Sequence, residues 1–308
     1  MPIRDIKKGQ LAAWIFAGVS APAAQIVGGM AWQTVLLIGV LCLGTCWCIS
    51  QINIVLPRWL SIIEYIWLIC VLGSIAAWTA ESWSSGDVYP WVPLILLALG
   101  CVSALRSMEN AARAGSVLFW LELLVYAVVI AAGLGTAERI ELSYQAGGVD
   151  ERLIVTLLIP SLAVFCKERG AGITAYGLAG VLGFAVLLSL LITSSLSLPV
   201  AVNTVMPLHK WVQGLSLVGT VQRFEAIVSM ALNMGWFALL GYLVSVEGNI
   251  ASMARDGVYS KGCVTSAVGA GILVAAKKGI EPVMLVLGCL ILWVIVPMIL
   301  VLIEKKKN

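Results

Sequence analysis

The sequence predicts an all-α polytopic membrane protein, a single transmembrane domain over residues 1–308 with about ten membrane-spanning helices. Two observations predict that class. Hydrophobic residues make up 61% of the chain and charged residues only 11%, with a mean hydropathy of +1.01. A soluble chain is nearer half apolar and about a quarter charged. Apolar runs also recur along almost the whole length rather than clustering at one end, which excludes a water-soluble enzyme or a nucleic-acid binder. The net charge of +3 is a small surplus of 19 basic over 16 acidic residues.

A crossing needs roughly 20 apolar residues at 1.5 Å each to traverse about 30 Å of hydrocarbon. Six runs meet that need clearly: Ala31–Ser50, Trp59–Thr79, Ser116–Gly135, Ile173–Ser195, Gln222–Ser245 and Pro282–Ile303. Four are shorter or interrupted: Leu11–Val27, Trp91–Leu105, Arg152–Phe165 and Gly262–Ala276. Leu11–Val27 follows Arg4, Lys7 and Lys8, as a signal peptide would, but the many spans behind it favour an uncleaved first helix. The first five helices form one set, about 11–135, and the second five another, about 152–303.

Placing the N-terminus inside puts 13 of the 19 Lys and Arg residues in cytoplasmic segments and 6 on the other side. That asymmetry is the positive-inside pattern and predicts cytoplasmic N- and C-termini. Trp59, Trp78, Trp83, Trp91 and Trp211 fall near predicted span ends, where an interfacial aromatic belt would hold them.

The interrupted spans carry the site prediction. Helix 1 contains Gly18, Ser20, Ala21 and Pro22, and helix 6 contains Pro160 and Ser161. Proline removes a backbone donor and strains the preceding turn. Paired breaks at corresponding places in two halves point to a transporter-type binding site, although a plain proline kink accounts for either one alone. Free amides around Gly18, Ser20 and Ala21 would suit a carboxylate. Acidic residues within spans are costly and face protein or water. Glu64 lies about 9 Å along helix 3, Glu122 has Tyr126 one turn on, and Glu225 begins helix 8. Gln222, Glu225, Ser229 and Asn233 follow 3–4–4 spacing and make one polar stripe, which either meets ligand or bonds helices together. The predicted pocket lies between helices 1, 3, 6 and 8.

The eight cysteines lack zinc-ligand spacing, and His209 is the only histidine. They read as small buried apolar residues. Cys46 and Cys48, two apart, point to opposite sides of a helix. No metal site, cofactor motif, phosphate loop or nucleophile–base arrangement is present in the sequence, so catalysis is not expected.

The stripe opens a resemblance. Gln222-Arg223-Phe224-Glu225, with the Pro207 loop before it and Trp236 after it, resembles the Arg-x-Glu region of the spore germination permease family. Ile6-Lys7-Lys8-Gly9-Gln10-Leu11 is similar to that family's opening, and Asp150-Glu151, Pro160 and Lys167 resemble its helix-6 stretch. The resemblance runs thinly over the whole chain and rests on the order of its motifs. It implies an amino acid–polyamine–organocation fold of two inverted five-helix repeats with helices 1 and 6 broken. It implies a germinant-receptor B subunit in the inner spore membrane, beside an A subunit and a lipoprotein C subunit. There it would sense a small nutrient such as an amino acid, and the alternative is a secondary amino acid transporter of the same superfamily.

Overall fold

The computed structural model describes residues 8–50, 57–81, 91–136, 148–166, 171–204, 206–215, 224–255, 257–277 and 279–307. Ile6, Lys7, Trp83, Arg139, Lys167, Arg169, Gln222 and Arg223, with most of the 138–151 loop, lie outside the described residues. The described chain is helical throughout, with no strand among the described residues. In order it forms α1 (Lys8–Val27), α2 (Trp32–Ser50), α3 (Arg58–Glu81), α4 (Val92–Ala104), α5 (Met108–Thr136) and α6 (Glu151–Leu158). After α6 a 3-10 segment runs over Ile159–Cys166, followed by α7 (Ala171–Leu196), α8 (Leu198–Val202) and α9 (Pro207–Gly214). Then come α10 (Phe224–Ala254), α11 (Tyr259–Ala275), α12 (Pro282–Leu290), a π turn at Ile291–Ile295 and α13 (Val296–Lys307).

All ten predicted runs fall within helices, to within a residue or two at their ends. Seven helices are long and apolar enough to cross a membrane: those at Gly9–Val27, Trp32–Ser50, Arg58–Thr79, Met108–Gly135, Ile173–Leu196, Glu225–Ala254 and Pro282–Leu302. The chain is therefore an integral membrane protein by composition and length, because a helix satisfies its own backbone in hydrocarbon. The runs at α4, α6 and α11 are shorter.

Local chemistry sets the boundaries. Asp150 caps α6, its carboxylate accepting from the backbone N–H of Arg152 at 2.9 Å and from the Arg152 guanidinium. Such a cap satisfies one of the orphan donors of a first turn. Prolines stand in the opening turns of α4, α8, α9 and α12, where a missing N–H is harmless.

One predicted break is present and the other is not. Helix 6 changes from α to 3-10 at Ile159, immediately before Pro160. Helix 1 stays α-helical across Gly18–Pro22, so the expected free amides there are replaced by a continuous helix with Pro22 inside it. A proline can be carried in a helix when neighbouring helices hold the turn, and α1 is enclosed by α5, α7 and α10. Its residues from Ala17 to Ala24 are buried.

Small residues let the inner helices approach closely. A Cβ on Gly18 would stand 3.0 Å from the Leu239 backbone of α10, and one on Gly235 would stand 2.4 Å from Ala21 Cβ. Outer positions are apolar and bare, among them Leu41 and Leu37 of α2 and Trp120 and Leu124 of α5, as a lipid-facing surface requires. Of the predicted belt, Trp59 and Trp91 are exposed, whereas Trp78 and Trp211 are buried against the bundle. Cys46 is buried and Cys48 exposed, on opposite sides of α2 as their spacing predicts.

Candidate functional site

The charged side chains inside the bundle are the place to look, because each costs several kcal/mol to desolvate without a partner. Among the described residues three carboxylates are wholly buried: Glu64 on α3, Glu122 on α5 and Glu247 on α10. The described ion pairs, Arg113 with Glu109 and Arg152 with Asp150, lie elsewhere at the helix ends.

Glu122 is the one tied to the prolyl helix. Ser20 of α1 lies 3.2 Å from its Oε2, and the same hydroxyl is 3.2 Å from the Ala17 carbonyl. The other oxygen, Oε1, has no hydrogen-bond partner among the described residues, and the Tyr126 hydroxyl one turn along faces the same Ser20. Positions 119, 122 and 126 share one face of α5 by their 3–4 spacing. On that face Phe119 meets Phe16 edge-on with ring centroids 5.2 Å apart, and Tyr126 stacks on Phe184 of α7 at 4.4 Å. Phe16 and Phe184 also touch, at 6.2 Å. The result is a carboxylate with one spare oxygen, beside two hydroxyls and walled by aromatic rings from three helices. Carboxylate and ring faces both attract cations, so the cluster suits a positively charged group such as an amine.

The predicted site residues divide among several places. Ser20 joins Glu122. Gly18 and Ala21 pack against α10 at Leu239 and Gly235, and Pro22 lies in the same buried stretch of α1. Pro160 and Ser161 lie in the 3-10 segment, where Ser161 Oγ donates to the Leu158 carbonyl at 2.6 Å. That segment sits among α2, α7 and α10.

Glu64 turns toward the last helix rather than toward α1. It lies beside Trp293 in the π turn and near Cys289, and Trp67, three residues on, fills the gap over Gly288. The indole of Trp293 faces the Glu64 carboxylate and that of Trp67 faces the Cys289 thiol, so both indoles already have polar neighbours.

Glu225 begins α10 and is half-buried. Ser229 and Asn233 line an open groove of about 530 Å³ with Ala226, Met230, Met234 and Phe237. Asn233 spends its amide on the Ser229 carbonyl of its own helix at 2.8 Å. The stripe is thus a groove wall over these residues.

Two features escaped sequence reasoning. Glu122 was visible as an intramembrane acid, but its partner Ser20 lies 102 residues away. Glu247 falls just beyond the predicted end of helix 8 at Ser245, whereas α10 continues to Ala254. The longer helix carries that acid back into the bundle.

No family model matches this chain, and no curated protein matches its sequence.

Proposed function

We propose that the chain is the membrane-embedded, nutrient-sensing subunit of a spore germinant receptor. In this reading ten helices cross the inner spore membrane as two inverted five-helix repeats, with both termini in the cytoplasm. It works with an A subunit and a lipoprotein C subunit, and a small nutrient, an amino acid by preference, is its ligand. No catalysis and no cofactor belong to this reading. The order of the germination-permease motifs supports the family, and the single structural observation that supports ligand sensing is the Ser20–Glu122 pair. It joins the prolyl helix to a buried carboxylate with a spare oxygen, inside an aromatic wall that suits the ammonium of an amino acid. A change in that group's partners is felt directly by α1, α5 and α7.

The second reading, a secondary amino acid transporter, draws on the three buried carboxylates without cations, since intramembrane acids often mark ion pathways. One experiment separates the two. Spores lacking this chain are challenged with a panel of nutrients, and the purified chain is assayed in proteoliposomes for uptake of the same compounds. The sensor reading expects loss of germination toward one nutrient, intact germination by a trigger that bypasses nutrient sensing, and no uptake. Full germination on every nutrient, with uptake in proteoliposomes, replaces the sensor by the transporter.

A further inference from the structure

Glu247 stands apart from the Ser20–Glu122 cluster and has a different kind of surrounding. It lies seven residues before the end of α10 at Ala254. Tyr65 lies seven residues after the start of α3 at Arg58, and Cys263 lies four after the start of α11 at Tyr259. At 1.5 Å per residue these three positions sit roughly 6–10 Å inside the same end of the bundle. Tyr65 and Cys70 of α3 and Cys263 of α11 are the titratable groups within electrostatic reach of Glu247. Of the other elements packed on α10, α1 bears Lys8, α4 bears Cys101, α5 bears Glu109, Arg113, Glu122 and Tyr126, the 3-10 segment bears Cys166, and α9 bears His209 and Lys210. None of these has a hydrogen bond or ion pair to Glu247 among the described residues.

The joint around it is tight. A Cβ on Gly248 would stand 2.5 Å from Cys263 Sγ and 2.9 Å from the Tyr259 ring, and one on Gly262 would stand 2.6 Å from Ala251 Cβ. Tyr65 donates its hydroxyl to the Gly262 carbonyl at 2.8 Å, which ties α3 to α11 across the face of α10. Inside this joint Glu247 is fully buried, and both of its oxygens lack a hydrogen-bond partner among the described residues. A bare carboxylate without donors or a countercharge is among the most costly groups to hold in a membrane. Protonation removes that cost without requiring a further partner.

We propose that Glu247 is a proton-binding site, loaded and unloaded from the end of the bundle where α11 begins, when α11 separates from α3 and α10. The step is a single proton exchange. The carboxyl O–H bond breaks, the proton passes to water admitted at the α11 end, and a carboxylate remains until the reverse step. The Tyr65–Gly262 bond is the latch on that separation. The site is independent of the germinant reading, because it rests on the α3–α10–α11 joint and not on the Ser20–Glu122 cluster.

Infrared difference spectroscopy on the purified full chain in lipid nanodiscs tests it. Wild-type protein should show a protonated-carboxyl C=O band that is absent from Glu247→Met and from Glu247→Gln, and that is lost reversibly as the pH is raised. The band should shift on transfer to deuterated buffer, and Tyr65→Phe should speed that exchange several-fold, because the latch is gone. Glu64→Gln and Glu122→Gln should leave the Glu247 component in place. Identical carboxyl bands in wild type and both Glu247 variants would mean a charged group and would overturn the assignment. A Glu247 band that neither responds to pH nor exchanges would overturn it equally, since a permanently sealed carboxyl loads nothing. An exchange rate unchanged in Tyr65→Phe would remove the latch from the proposal.

Discussion

Glu122 and Glu247 are buried alike, yet their surroundings differ in every respect that matters. Glu122 has a hydroxyl on one oxygen and sits among rings from α1, α5 and α7. Glu247 has no hydrogen bond at either oxygen and sits in a joint built on glycine and cysteine. A carboxyl with a partial hydrogen-bond set and an aromatic wall is arranged to receive another polar group. A carboxyl without a donor in a closely packed joint is relieved most simply by a proton. Burial alone therefore does not assign a role to an intramembrane acid. The number of donors already supplied and the space left beside them divide the two cases.

The largest expected effect comes from the glycine packing between α1 and α10, beside the Glu122 region. Gly235→Leu drives a branched side chain into Ala21 and the Ala17 carbonyl, and Gly18→Leu drives one into the Leu239 backbone. Backbone cannot give way as a flexible side chain can. Each variant should lose more than the roughly 1–3 kcal/mol typical of overpacking and should fall sharply in membrane abundance on immunoblots. Normal abundance of Gly18→Leu with a lost nutrient response would instead return α1 to the role of a ligand-facing helix.

The two acids should then respond oppositely to apolar replacement. Glu122→Leu removes the acceptor near Ser20, but the hydroxyl keeps the Ala17 carbonyl. Its loss should be about 1 kcal/mol, the net value of an ordinary hydrogen bond. Glu247→Met exchanges an unbonded carboxyl for an apolar side chain, and the thermal midpoint in detergent should stay level or rise. A drop for Glu247→Met larger than that for Glu122→Leu would show that Glu247 has a partner that matters to the fold. The contrast drawn above would then fail.

Much of this architecture was legible in the sequence. The ten apolar runs fall in helices, and seven of the helices are long and apolar enough to cross a membrane, where every backbone group must be satisfied internally. Pro160 marked a real change of helix type, since a missing N–H and a strained preceding turn act locally. Pro22 did not mark one. Its turn is held by α5, α7 and α10, which come close only in three dimensions. Glu247 was hidden for a related reason: apolarity falls after Ser245, but the helix continues because α11 and α3 bury its far end. Pairing across long separations, as between Ser20 and Glu122 or Tyr65 and Gly262, leaves no periodic trace in the chain.

A third acid supplies the intermediate case. Glu225 is half-buried in the first turn of α10, where a negative charge complements the helix dipole by less than about 1 kcal/mol. Glu225→Gln should therefore be normally abundant, with a thermal midpoint near that of wild type. Its response per molecule to nutrient then reports on the charge alone. An unaltered response would leave the groove at Ser229 and Asn233 without an electrostatic part in sensing.

The smallest effect is expected at a glycine outside both regions. Gly44 lies exposed on α2 and a Cβ there would meet nothing within 4 Å, whereas a Cβ on Gly100 would stand 3.0 Å from the Gly241 backbone nitrogen. Gly44→Ala removes backbone freedom from the unfolded chain and adds no contact in the folded one. It should raise stability by up to about 1 kcal/mol, read as a small upward shift of the thermal midpoint. Gly100→Ala has the same propensity gain but must also part α4 from α10, so its midpoint should fall. The pair isolates close packing from helix propensity, with the lipid-facing glycine as the baseline. If both alanines shift the midpoint upward together, the inner helices have slack. Close glycine packing would then not be what holds α4 against α10.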